Sequence, residues 1–417
     1  MSRGPPEETE RRDDTVIKPS DKATTTGAPS EVFCAFLKLG LTSFGGPVAH
    51  LGYFRDELIT RRGWLSDTAY ADLVALCQFL PGPASSQVGF AIGMMRAGWL
   101  GAIAAFVAFT LPSALILLAF ALTATTLSGP VGTGALHGLK IVAVAIVAQA
   151  VWGMARSLCP DRERATVAVV AVAMLAFLPG AAGMVSAILI GAAAGLRLGR
   201  GSASPVGGHM PMPVAKIHAG IALAAFAALL LGLPLLAGLS QGWAVVDSFY
   251  RAGSLVFGGG HVVLPLLQAE VVAQGWVTPD QFLAGYGAAQ AVPGPLFTFA
   301  AYLGAVLGPE PNGIQGATLA LLALFLPGFL LLIGVLPFWD EFRARPLAQS
   351  AMQGANAAVV GILGAALYSP VFTSAIGNMR DFALALTCFV ALMAWKASPW
   401  VVVVIAALGG IGLTLLA

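Results

Sequence analysis

FLKLGLTSFGGPVAHLGYFRDE, at Phe36–Glu57, lies over FYRAGSLVFGGGHVVLPLLQAE, at Phe249–Glu270, at an offset of 213 residues. After a one-residue gap at Arg62 the register continues at an offset of 212. Gly63–Trp64 then lies over Gly275–Trp276, Gln78 over Gln290, and Pro81-Gly82-Pro83 over Pro293-Gly294-Pro295. The pairs Leu111–Pro112 and Leu326–Pro327 follow at nearly the same spacing. A bias toward Gly and Ala could produce some identities, but not a Trp, a Glu and two proline punctuations in register. The chain reads as two homologous halves.

What surrounds the repeat is apolar. Of 417 residues, 58% are hydrophobic and 10% are charged, and the mean hydropathy is +0.84. A soluble domain carries about 25% charged residues, so an ordinary globule is excluded. Gly98–Leu122, Lys216–Leu239, Ile314–Leu336 and Pro399–Ala417 each reach membrane-spanning length. The expected fold is an all-α polytopic membrane protein, with a lipid bilayer as its solvent. With 50 Gly and 26 Pro, many inside the apolar stretches, broken or re-entrant helices are expected rather than smooth rods. A net charge of +2 gives no reason to expect nucleic-acid binding. Cys34, Cys77, Cys159 and Cys388 are scattered without metal-ligand or disulfide spacing, so no metal is expected. Walker, HExxH and GxSxG signatures are missing, so neither a catalytic residue nor a cofactor is assigned and no enzyme is expected. The division expected is a disordered cytoplasmic tail over 1–30 and a first repeat over 31–200. A linker and connecting helix follow over 201–243, then a second repeat over 244–417. The tail is mixed in charge and has no apolar core after its basic residues, so it does not read as a secretory signal.

Loop charges orient the halves. In the first, Arg55, Arg61 and Arg62 follow the FGGP segment, Arg156, Arg162 and Arg164 mark a second positive loop, and Thr123–Pro130 is uncharged. The second half reverses this: Glu270 and Asp280 flank the loop after FGGG, whereas Arg343 and Arg345 stand where the first half is uncharged. Lys216–Leu239 has no counterpart in either half, and an odd connecting helix is what two halves of even crossing number need to lie inverted. An inverted-repeat transporter architecture is expected.

With the tail and the Arg55–Arg62 loop on one side, Val32–Leu58 must enter and return, bending at Gly45-Gly46-Pro47. Ala69–Met95 does the same at Pro81-Gly82-Pro83. Gly258-Gly259-Gly260 and Pro293-Gly294-Pro295 are the second-half equivalents. Helices restarting after such breaks aim their N-terminal amides at a shared cavity, a geometry suited to an anion. Lys38 and Arg251 are aligned cations, each seven residues before its Gly-Gly, and intramembrane cations are functional or paired; Lys38 could instead snorkel to the surface. Thr42, Ser43, Ser85, Ser86, Gln87 and Thr298 flank the breaks and could replace an oxyanion's hydration shell, or cap and pack helices. His50 and His261 are not aligned, so each reads as a local hydrogen-bonding group before a shared proton relay, with a coupling role as the alternative. Glu57 and Glu270 are aligned, and read as a surface feature, an ion pair or a proton-coupling site.

TSFGGPVAHLGYFR with GW and QFLPGPASSQ, repeated as LVFGGGHVVLPLL with GW and QAVPGP, resembles the chromate ion transporter family in its long, two-domain form. The resemblance covers about Val32 to Ala417. It implies efflux of chromate across the bacterial inner membrane, conferring resistance, and short members encoded as separate halves of opposite orientation agree with the inversion. Phe297–Thr298 replaces Ser85–Ser86 and FGGG replaces FGGP, which under that family logic gives the first half more of the substrate chemistry. Sulfate shares chromate's shape and charge and remains an alternative ion, by uptake or exchange; a channel or a membrane scaffold are remoter readings. A homodimer is compatible with this architecture.

Overall fold

The computed structural model describes residues 27–124, 129–199, 214–257, 260–339, 341 and 345–416. Every regular element among them is helical. Most of the expected tail, part of the linker, and both Gly258 and Gly259 lie outside the described residues. The first helix, α1 (Pro29–Thr42), begins just before the expected boundary at 30. Pro29 opens it because a missing N–H costs nothing in a helix's first turn.

The first half continues with α2 (Gly46–Phe54), which tightens into a π-turn over Arg55–Arg61. It then runs through α3 (Asp67–Phe79), α4 (Ala84–Ala124), α5 (Gly129–Leu158), α6 (Arg162–Phe177) and α7 (Ala181–Leu198). The connecting helix is α8 (Lys216–Leu236). The second half opens with α9 (Gln241–Ser254) and α10 (Val263–Leu267), the latter passing into a π-turn over Gln268–Val272. It continues with α11 (Pro279–Ala289), α12 (Phe299–Ala305), α13 (Gly313–Val335), α14 (Pro346–Ala366), α15 (Met379–Met393) and α16 (Pro399–Leu415).

The sequence repeat is also a repeat of backbone detail. Both π-turns start at aligned residues, Arg55 and Gln268. Each is closed by the aligned tryptophan: Trp64 N–H donates to Leu58 O at 2.9 Å and Trp276 N–H to Val271 O at 3.0 Å. Ser66 and Thr278, also aligned, cap the helices that follow. Gly82 and Gly294 take φ of 120° and 107°, a region closed to most side chains. At the first break the chain doubles back, setting the Phe36 and Phe54 rings 5.5 Å apart, and Arg251 is likewise brought to Glu270 in the second half. Gly98, at φ 63°, turns the chain again inside α4, so that Gly93 and Gly101 approach backbone to backbone.

The later helices are exchanged between halves. Helix α5 packs along α16, and α14 along α7. Small residues permit both crossings. A Cβ on Gly138 would meet Ala406 O at 2.0 Å, and one on Gly354 would meet Gly191 O at 2.0 Å. Six described helices are long and apolar enough to cross a membrane. Helix α8 exposes Ile217, Ile221, Leu231 and Leu235, a ladder that water would penalise and hydrocarbon accommodates.

Candidate functional site

The breaks of one half meet those of the other. Gly82 N–H donates to Val256 O at 2.8 Å, and Gly294 N–H donates to Ser43 O at 2.9 Å. Gly82 aligns with Gly294 and Ser43 with Val256, so one contact is made twice, as in an isologous interface. A Cβ on Gly82 would lie 2.9 Å from Gly328 Cα, and one on Gly294 would lie 2.8 Å from Ser113 Oγ. Gly328 and Ser113 each follow a helix proline, Pro327 and Pro112. Pro47 and Gly260 are aligned and face each other: a Cβ on Gly260 would be 3.3 Å from Pro47 Cγ.

The backbone is two-fold there, but the side chains are not. Ser43 Oγ, His50 Nε2, Ser86 Oγ, Gln87 Oε1 and Thr110 Oγ1 are buried without a hydrogen-bond partner among the described residues. They belong to one neighbourhood. His50 Nδ1 is 3.3 Å from Ser85 Oγ, the His50 ring lies against Phe109, and Gln87 Nε2 donates to Pro81 O and Gly328 O. Each such orphan costs about 1–3 kcal/mol, so five around one junction make it a candidate place for water or a ligand to supply the partners. Val256, Val263, Phe299 and Phe325 occupy the aligned positions for Ser43, His50, Gln87 and Thr110. Thr298, aligned with Ser86, spends its hydroxyl on Pro295 O at 2.7 Å. Thr42 likewise donates to Lys38 O and is exposed, which makes it a helix-end group.

A polar cavity of about 390 Å³ adjoins the first break. Gly45 and Gly46 line it, at the N-terminus of α2, together with Gln149, His261, Gln290 and Lys396. His261 is oriented by Tyr286, whose hydroxyl lies 2.7 Å from Nδ1. Gln290 Nε2 is buried and unpartnered. Lys396 makes no ion pair among the described residues, and it is their only non-glycine residue with positive φ, at 53°. Nothing lies within 4 Å of a Cβ placed on Gly46. Neutral amides, a cation and a helix N-terminus around one space can take an oxyanion. Gln149, Thr110 and Lys396 were not found by motif reading, because none belongs to the matched segments. Their signal is polarity inside apolar stretches.

Lys38, Arg251, Glu57 and Glu270 form a different set. Lys38 Nζ lies 2.7 Å from Glu57 Oε2, which Arg61 also reaches at 2.7 Å, while Arg62 reaches Oε1 at 3.1 Å. The hydrogen bond from Lys38 is the main cause holding the Glu57 carboxyl below its ordinary range, against burial. In the second half Arg251 pairs with Asp247 and stands 3.9 Å from Glu270. Each aligned cation is therefore matched by a carboxylate, and none of the four lines the polar cavity. No group of three or more His, Cys, Asp or Glu among the described residues could hold a metal.

A family model described as chromate transporter matches residues 30–196 and 243–411, one match per half. The chromate transport protein of Pseudomonas aeruginosa is 31% identical, over 93% of this chain and 94% of that protein. A probable chromate transport protein of Synechococcus elongatus is 26% identical, over 90% of this chain and 93% of its own length. An uncharacterized transporter of Methanocaldococcus jannaschii is 25% identical over 82% of this chain and 85% of its own. No solved structure matches.

Proposed function

The chain belongs to the chromate transporter family, and from that premise we propose that it exports chromate from the cytoplasm across a bacterial inner membrane as a secondary transporter. Export of this kind lowers cytoplasmic chromate and confers resistance. The two halves lie inverted about an axis in the membrane plane, with Arg55–Arg62 and the Lys396 loop cytoplasmic and Glu270–Asp280 external. Opposed loop charges and the odd connecting helix α8 support this orientation. The breaks are then re-entrant, and irregular backbone at that depth is tolerated where it lines a wet cavity.

The observation that carries the reading is the junction of breaks: five unpartnered polar atoms of the first half are buried around it, and its Gly45 and Gly46 line a cavity that Lys396 also lines. Chromate is a tetrahedral dianion whose oxygens accept hydrogen bonds. Gln149, Gln290 and the α2 amides supply donors, and Ser43, Ser86 and Thr110 supply hydroxyls deeper along the first-half breaks. Gly45, Gly46, Pro47, Pro81, Gly82 and Pro83 shape the backbone that brings them together. Lys38 and Arg251 hold the hairpins through their carboxylates and act on the ion at longer range.

The test is uptake of labelled chromate by everted vesicles, with and without excess sulfate, for the unaltered chain and for Lys396→Gln. Saturable uptake whose apparent affinity weakens severalfold in Lys396→Gln is expected. Competition by sulfate would place both dianions on the same path. Saturable uptake unchanged by the substitution would remove the cavity from that path, and no uptake at all would end the reading.

A further inference from the structure

The two-fold pattern of the core breaks down in how the hairpins meet the long helices. Helix α11 packs on α5. A Cβ on Gly287 would meet Leu139 O at 2.2 Å, and Lys140 Nζ reaches Asp280 Oδ1 at 3.0 Å. Helix α3, the counterpart of α11, packs on α4 and on the first π-turn and makes no comparable contact with α14. The face of α11 that carries Leu283 and Gly287 is buried, whereas Ala71, Ala75 and Gln78, at the aligned positions of α3, are exposed. The other hairpin shows the same imbalance. Helix α10 and the turn before it pack on α14, whereas α2 stands off α5 across the polar cavity. Gly138 and Gly354 occupy equivalent crossings, so Leu139 corresponds to Ala355 and Lys140 to Asn356. Asn356 Oδ1 is buried and unpartnered.

We propose that this is one of two alternating states, and that in the other α3 closes on α14, with Ala75 against Ala355, while α11 parts from α5 and the Lys140–Asp280 pair opens. A chain of two like halves can reach its second state by exchanging their conformations, which adds no new kind of contact. The exposed face of α3 is small enough to pack helix on helix. Gln78 lies on that face, and exposure to lipid would leave its amide without donors or acceptors. The proposal rests on the transport reading, because it assigns the polar cavity to the open end and the α5–α11 contact to the closed end.

The experiment uses the full chain in membranes, with the four native cysteines replaced by Ala and Ala75→Cys paired with Ala355→Cys. The backbone contact at Gly287 and Leu139 implies that the equivalent pair comes within disulfide reach. Oxidation is expected to form an intramolecular disulfide that lowers chromate flux at least tenfold, reversed by dithiothreitol. Three results overturn the proposal: no disulfide in a variant that still moves chromate, a disulfide that leaves flux unchanged, or a disulfide joining two chains, which would make the α3 face a subunit contact. Should the cysteine-free chain fail to fold, Lys140→Glu in the native-cysteine chain serves instead. A severalfold loss of flux restored by the swap Lys140→Glu with Asp280→Lys is expected, and loss without restoration counts against the gate. If the unaltered chain moves no chromate, the transport reading falls while disulfide formation, read on a gel, still decides the gate.

Discussion

Glu57 is buried in the π-turn, with Lys38, Arg61 and Arg62 around its carboxylate, and two of those cations are largely exposed. Replacing it by Gln leaves three like charges close together while keeping the side chain's shape. Partial exposure screens their repulsion, so the expected loss of stability is about 1–3 kcal/mol, measured as a lower Tm of the purified protein. The sign of the pH dependence follows from the depressed carboxyl. Its contribution is present above the ordinary carboxylate range and is lost as pH falls through the lower folded-state value. The unaltered chain should therefore lose stability in that acid window, and Glu57→Gln should lack that component. The glycines of the breaks separate by environment. Gly46 has φ 81° with open space where a Cβ would go, whereas Gly82 has φ 120° with Gly328 Cα only 2.9 Å from that point. Gly46→Ala meets backbone strain of roughly 1–2 kcal/mol and should insert and fold with reduced transport. Gly82→Ala adds a backbone clash to the strain and should lose transport together with thermal stability. Equal effects at both positions in paired flux and melting measurements would contradict that separation.

Among elements, the crossings α5 on α16 and α14 on α7 are held open by residues without bulk. Gly354→Val would drive a branched side chain into the Gly191 backbone. An overpacking cost of about 1–3 kcal/mol is expected, read as reduced Tm and less protein in the membrane. Gly364→Val, where nothing lies within 4 Å, is the matched control. What sequence could reveal of these elements follows from the physics of each. Gly-Gly-Pro and Pro-Gly-Pro mark helix breaks because their backbone demands are local, and the repeat carried Pro-Gly-Pro into both halves and set Gly-Gly-Gly where the first half has Gly-Gly-Pro. Aligned Lys38/Glu57 and Arg251/Glu270 stood out as charges in apolar surroundings, but their pairing needed the hairpins to fold back. The exchange of α16 and α7 between halves left no local trace, because Gly at a crossing looks like Gly anywhere in a membrane helix. Lys396 and Gln149 were missed for a similar reason: they approach the break from far along the chain, Gln149 on α5 and Lys396 in the loop between α15 and α16, outside every matched motif.

At the scale of the molecule, charge balance and membrane potential meet. Lys396 and the N-terminus of α2, the latter worth about half a positive charge, offer roughly one and a half charges to a dianion. Lys38 and Arg251 are already matched by carboxylates. A site so composed would undercompensate the ion, lowering its dehydration cost without trapping it. A dianion leaving a negative-inside cell gains about 4.6 kcal/mol per 100 mV, twice the value for one charge. At about 1.4 kcal/mol per tenfold ratio, that sustains a gradient of roughly a thousandfold or more. On the proposed export reading, the potential alone would suffice without a nucleotide. In respiring everted vesicles, chromate uptake is expected to slow severalfold when valinomycin with potassium collapses the potential, and to persist when nigericin collapses only the pH gradient. Uptake that followed the pH gradient and ignored the potential would mean that a proton travels with or against the ion. His261, which lines the polar cavity, and Glu270, buried in the second π-turn beside Arg251, would then be the first groups to substitute.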